Sequence, residues 1–155
     1  MRIHIPHFAT LNIDTIVCDY NGTLAKDGLL QPKVAGLLKR LGETFELYVI
    51  TADTFGTVAR HVEPLGIEVK ILRSDDHTEE KRAFVESLGA WRCAALGNGN
   101  NDASMLQIAA LGICILEAEG CTPRTLASSD LLCRDIQEAL ALFLQPRRIV
   151  ATLRR

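Results

Sequence analysis

Thr15-Ile16-Val17-Cys18-Asp19-Tyr20-Asn21-Gly22-Thr23 is a short apolar run that delivers a carboxylate into a polar turn loosened by glycine. The same pattern recurs along the chain. Leu47-Tyr48-Val49-Ile50 runs into Thr51-Ala52-Asp53, and Cys93-Ala94-Ala95-Leu96 runs into Gly97-Asn98-Gly99-Asn100-Asn101-Asp102. Three further apolar runs, Ile67–Leu72, Gly112–Leu116 and Leu131–Cys133, have strand length. Between the runs, apolar residues recur at helical spacing. Val34, Leu37, Leu38 and Leu41 form one stripe, Phe55, Val58, Ala59 and Val62 another, and Ile136, Ala139, Leu140, Phe143 and Leu144 a third. Continuous apolar strands alternating with amphipathic helices indicate a mainly parallel sheet covered on both faces. The fold expected is α/β, a Rossmann-like three-layer α/β/α sandwich. An antiparallel hairpin of Arg2–Ile5 with Thr10–Asp14 precedes it.

Composition bounds the rest. The 155 residues carry 17 Lys+Arg against 19 Asp+Glu, a formal charge of −2, with 48% hydrophobic, 23% charged and 5% aromatic residues. That is enough chain for one ordinary core. It reads as a single domain over 1–145 followed by a basic, solvated tail over 146–155, where Arg147, Arg148, Arg154 and Arg155 fall. A basic surface with stacking aromatics is not evident, so nucleic acid is not an expected partner. No stretch approaches membrane-spanning length, and the N-terminus has no apolar signal region, so a cytoplasmic protein is expected. Cys18, Cys93, Cys114, Cys121 and Cys133 show no C-x-x-C or zinc spacing and read as reduced, mostly buried thiols.

In an open α/β sheet, chemistry gathers at the carboxyl ends of the strands. The turns after Cys18, Ile50 and Leu96 should therefore share one edge. Lys81 heads a stripe with Phe84, Val85 and Leu88, and Asp102 one with Met105, Leu106 and Ala109. A charge heading an apolar stripe is costly unless it meets a partner or ligand. Asp19 is placed as a carboxylate nucleophile able to accept a phosphoryl group. Lys81 supplies a cation, Thr51 a hydroxyl, and the Gly22 and Ala52 turns backbone N–H groups for phosphoryl oxygens. A hard ion, Mg2+, would take oxygens from Asp19, the Asn21 carbonyl and the Asn98–Asp102 loop. His61 and His77 read as surface or helix-end residues, and Asp75-Asp76 as a solvated loop before the Lys81 helix.

Taken in order, Asp19–Thr23, Thr51, Lys81 and Gly97–Asp102 resemble the four motifs of the haloacid dehalogenase (HAD) superfamily of phosphohydrolases, over roughly residues 13–140. Within it, Val49–Asp53 is similar to the T-G-D turn of the P-type ATPase phosphorylation domain. Gly97–Ala103 is similar to its G-D-G-x-N-D-A. The resemblance implies Asp19 as nucleophile through an aspartyl-phosphate, with Thr51, Lys81 and Asn101 on the substrate. It places Mg2+ on Asp19, Asn21, Asn98 and Asp102.

Two residues depart from the pattern. Asn21 stands where phosphatases of the superfamily carry a second Asp as general acid and base. An amide does neither, and such catalysis is typically worth about 10²–10⁴-fold, so slow turnover is expected. Asn98 replaces a carboxylate metal ligand, which weakens the ion site unless Asp53 or Asp102 compensates.

Residues 20–50 and 52–80 are filled by elements of the sheet domain, leaving no capping domain. An open site implies a homo-oligomer whose neighbouring copy covers it or, failing that, a substrate large enough to close it. The partner expected is a small phosphorylated compound or a phosphoprotein. The other reading is a catalytically impaired domain that binds phosphate, metal or a partner. A receiver domain also uses a strand-end Asp and a Lys, but it accounts for neither Gly22-Thr23 nor Asn101-Asp102. The Gly97-Asn98-Gly99 stretch lacks the G-x-G-x-x-G of a dinucleotide loop.

Overall fold

The computed structural model describes residues 1–53 and 56–155. Phe55, one member of the second apolar stripe, lies outside them. Six strands form one wholly parallel sheet: β3 (Thr15–Asp19), β6 (Glu46–Thr51), β7 (Glu68–Ile71), β8 (Cys93–Gly97), β9 (Leu111–Ile115) and β10 (Leu131–Cys133). Their spatial order is β10-β9-β8-β3-β6-β7. The first strand of the series thus sits mid-sheet, and the chain winds outward from it in both directions.

Every residue of β3, β8 and β9 is buried, as expected of strands covered on two faces. Side chains alternate between two cores. Ile16 and Cys18 face the larger one, packed with Val34, Leu38 and Leu41 of α1 (Pro32–Leu41) and with Ala139, Leu140 and Phe143 of α6 (Ile136–Leu144). Val17 faces the smaller one, packed with Val85 of α3 (His77–Ser87) and with Met105 and Leu106 of α4 (Ala103–Ile108). A period of two in the strand and 3.6 in the helices is sufficient to set up these three layers.

The N-terminal hairpin is present as β1 (Arg2–Ile5) against β2 (Ala9–Asn12). A second ribbon, β4 (Ala25–Lys26) with β5 (Leu29–Leu30), was not expected. Its turn residues Asp27 and Gly28 have φ of 52° and 76°, the pair of positive values a two-residue hairpin turn requires. At the amino edge of the sheet, Arg92 ties the starts of two strands together through Asp14 (2.5 Å) and Glu46 (3.2 Å).

One expectation is corrected. Residues 147–153 are not a frayed tail but a helix, α7 (Arg147–Leu153), whose Ile149 is fully buried in the larger core. Val150 and Leu153 also pack there, beside β1. The arginines flanking Ile149-Val150 conceal this apolar stripe, because a run of charge at a chain end reads as solvated. No helix among the described residues is long and apolar enough to cross a membrane. All five cysteines are free. Burial raises the thiols of Cys93 and Cys133 to about 11, so these two are held as thiols.

Candidate active site

The carboxyl ends of β6, β3 and β8 are neighbours, and the three sequence turns converge there. A cavity of about 220 Å³ is lined by Asp19 and Asn21 after β3 and by Thr51 and Ala52 at β6. Lys81 of α3 and Asn98, Asn101 and Asp102 of the turn after β8 line it too, so that of the expected residues all but Gly22 are at this cavity.

The electrostatic centre is a buried triad. Lys81 Nζ donates to Asp19 Oδ1 and to Asp102 Oδ1, both at 2.6 Å. Lys81 and Asp102 are each 1% exposed and Asp19 9%. Burial alone would lower the Lys81 pKa, but the two carboxylates outweigh it and hold it above its ordinary value. Asp19 is moved the other way. Burial first, and the Asp102 charge second, push its carboxyl up to about 7, against the opposing Lys81 and Thr23. With all three groups ionised, the triad carries one surplus negative charge.

Local structure places each member. Asp76 caps α3 by accepting from Glu79 N at 3.0 Å, so the pair read as a solvated loop includes the helix cap. Glu80 accepts from Arg73 N and Ser74 N (2.8 and 2.9 Å) and pairs with Lys70 at 3.0 Å. These bonds hold the entry to α3 and fix the face on which Lys81 and Val85 point inward. Asp102 closes its own loop, its Oδ2 accepting from Asn98 N (3.0 Å) and Gly99 N (2.9 Å). Gly97 is needed beneath it, since a Cβ there would lie 2.5 Å from Asp102 Cγ. Gly97→Ala should therefore displace Asp102 and cost about 1–3 kcal/mol, read as a lower denaturant midpoint.

Two expectations change. Gly22 does not offer its N–H to a ligand, because that group donates to Ala25 O at 3.1 Å. Gly22 lines an adjoining cavity of about 110 Å³. Asp53 is drawn away to α2 (Thr57–Val62), accepting from Val58 N at 2.6 Å and Thr57 Oγ1 at 2.8 Å.

Three residues have roles the sequence reading did not assign. His61 shares a 2.9 Å hydrogen bond with the Tyr20 hydroxyl behind the site. His77 lines the cavity. Its spacing of four from Lys81 on one helix was a usable signal. Glu119 also lines the cavity, from the loop after β9. No local motif marks it; only its place past the carboxyl end of a strand could have found it.

The donor set suits a hard cation. Among the described residues no three His, Cys, Asp or Glu side chains converge on an ion. Asp102 has both oxygens engaged by Lys81 and its own loop. Among the described residues the Asn21 carbonyl accepts none of the backbone bonds that close its turn, and Asn98 Oδ1 meets the Thr23 hydroxyl alone, at 3.3 Å. With an Asp19 oxygen these form an all-oxygen set beside surplus negative charge, which fits Mg2+.

No family model matches the chain. Among curated proteins, an uncharacterized protein of Methanocaldococcus jannaschii is 48% identical over 60 residues, 39% of this chain and 64% of its own length. A soluble P-type ATPase-like phosphatase of the same organism is 24% identical over 133 residues, 84% of this chain and 49% of its own length. The match thus spans less than two thirds of either relative. Among solved structures, the 3-deoxy-D-manno-octulosonate 8-phosphate phosphatase of Moraxella catarrhalis, in complex with a magnesium ion, a phosphate ion and a KDO molecule, superposes with a TM-score of 0.70. It is 23% identical, covering 92% of this chain and 94% of that one. The cobalt-bound phosphatase of that name from Haemophilus influenzae gives 0.73 at 16% identity, covering 88% and 90%. A putative HAD superfamily hydrolase of Legionella pneumophila gives 0.67 at 20%, covering 90% and 87%. The fold is that of the HAD superfamily phosphatases.

Proposed function

We propose that this HAD-fold chain is a phosphohydrolase that works through an aspartyl-phosphate on Asp19. The observation that carries the reading is the Asp19–Lys81–Asp102 triad, buried at the floor of a cavity that Thr51, Ala52 and Asn101 also line. A carboxylate, a cation and neutral donors around one small space are the parts phosphoryl transfer requires.

Asp19 attacks phosphorus with one oxygen while Lys81 steadies the other. Thr51, the Ala52 N–H, Asn101 and Lys81 receive the phosphoryl oxygens. Asp19, the Asn21 carbonyl and Asn98 would hold Mg2+, with Asp102 supporting the Asn98 turn, and the ion when bound supplies charge neutralisation for the transferring group. Asn21 transfers no proton, so esters with good leaving groups are the preferred substrates.

Residues 20–45 carry only the β4–β5 ribbon and α1 before β6, and among the described residues no inserted domain covers the cavity. The reading therefore includes a homo-oligomer whose neighbouring copy covers the site, in the cytoplasm, acting on a small phosphorylated compound or a phosphoprotein. Phosphate release from p-nitrophenyl phosphate with Mg2+ tests it. Asp19→Asn should reduce release by about 10³-fold or more. Release that survives in the folded variant would refute the mechanism and favour a domain that only binds phosphate, metal or a partner.

A further inference from the structure

The site lacks a proton-transferring group where the chemistry needs one, yet a carboxylate that no motif announces stands beside the gap. Glu119 lies in the loop between β9 and α5 (Pro123–Ala127), within a turn closed by Gly120 N donating to Glu117 O at 3.3 Å. Its side chain lines both the 220 Å³ cavity and the adjoining 110 Å³ one. A Cβ built on Gly22 would lie 2.5 Å from Glu119 Oε2, so the carboxylate sits directly over the backbone that follows Asn21. Among the described residues no hydrogen bond or ion pair engages it.

The loop is held there from the motif side. Asn98 Nδ2 donates to Gly120 O at 2.9 Å, and Thr122 N donates to Asn98 O at 3.2 Å. A carboxylate at position 98 has no proton for the first of these bonds. Gly22 is left without a side chain in the space that Glu119 and Asn98 occupy, and its φ of +76° excludes most alternatives. The two departures from the expected motifs are therefore linked in space. Asn98 anchors the loop that brings Glu119 to the place where Asn21 has no proton to give.

We propose that Glu119 is the general acid and base of the Asp19 reaction, an inference that rests on the phosphohydrolase reading. In the first step the Asp19–phosphorus bond forms and the ester P–O bond breaks, and protonated Glu119 gives its proton to the leaving oxygen. In the second, a water oxygen attacks phosphorus and its proton returns to Glu119. The Asp19–phosphorus bond then breaks and releases the free Asp19 carboxylate. The proton lost to the alcohol is replaced from water, and the cycle closes without another reactant.

The test uses Glu119→Gln, an exposed and nearly isosteric change, with p-nitrophenyl phosphate and glycerol phosphate in Mg2+ that saturates the wild type. The variant should still load Asp19 from the aryl ester but hydrolyse it about 10²-fold more slowly or worse. A protein heavier by one phosphoryl group should then accumulate, visible by intact-mass spectrometry and absent in wild type. Adding Asn21→Asp should restore turnover in the Glu119→Gln background, and should raise it far less in wild type. Unchanged turnover of glycerol phosphate by Glu119→Gln would overturn the proposal. So would a loss reversed by more Mg2+ alone, which would make Glu119 an ion ligand. Failure of the underlying reading appears elsewhere, as wild-type release that is absent or survives Asp19→Asn.

Discussion

Asp19→Asn should make the protein more stable while it destroys turnover. The Asp19 carboxyl is raised to about 7 by burial and by Asp102, against 3.8 for its ordinary value. A folded pKa above the unfolded one means that folding favours the protonated group. The resulting stability is fully present below about 3.8 and is lost as pH rises through about 7. At pH 8 the wild-type chain must therefore bury an ionised carboxylate beside Asp102, with one ammonium between the two. Asn keeps the shape and removes the charge, which leaves Lys81 and Asp102 as a balanced pair.

The expected gain at pH 8, in chelator, is on the order of 2 kcal/mol, or roughly 4–8 °C in melting temperature for a domain of this size. The gap should close as pH falls towards 5. Mg2+ should then raise the melting temperature of wild type and leave Asp19→Asn unmoved, because binding stabilises only the form that can hold the ion. Parallel pH curves for the two proteins would contradict this account of the triad.

Removing the cation should have the larger and opposite effect. Lys81→Met leaves the Asp19 and Asp102 carboxylates buried with nothing between them. Breaking a buried pair from one side typically costs about 3–5 kcal/mol, a large share of the stability of a single domain. Part of that loss should return on acidification, as one carboxyl takes up a proton. It should also return in the double variant Lys81→Met with Asp19→Asn, which buries one charge instead of two. Denaturant midpoints for the four proteins form a double-mutant cycle, and the two changes should be strongly non-additive. Additive losses would mean that Lys81 stabilises through its packed aliphatic chain alone. Both results express one fact, that the residues suited to phosphoryl transfer are an unfavourable set to bury without their ligand.

Much of this was legible in the sequence because it is written in local periods. Ile16, Val17 and Cys18 belong to an unbroken apolar run, which in a parallel sheet means a strand covered on both sides, and it ends at the carboxylate. Lys81 and Asp102 betray themselves by heading apolar stripes, since a charge in that position needs a partner. That they are each other's partner, and that Lys81 also holds Asp19, depends on α3 and α4 packing on the same face of the sheet. Ile149 was misread because a short stripe between arginines has no period long enough to stand out, and only the core it enters distinguishes it from a solvated end.

What the sequence by itself determined is the sheet, its two covering layers, and the edge at which Asp19, Thr51, Lys81 and Asp102 meet. Hydrophobic period and the place of each polar turn just past an apolar run are sufficient for that much. Only the tertiary structure decided which polar groups face one another there. It turned Asp53 away to cap a helix, committed the Gly22 N–H to its own turn, locked both oxygens of Asp102, and brought Glu119 over Gly22, next to Asn21, from a loop almost a hundred residues further along. A polar side chain has several partners within reach along its own segment. The choice among them is made by burial and by the loops that long-range packing brings near, and neither is encoded at short range.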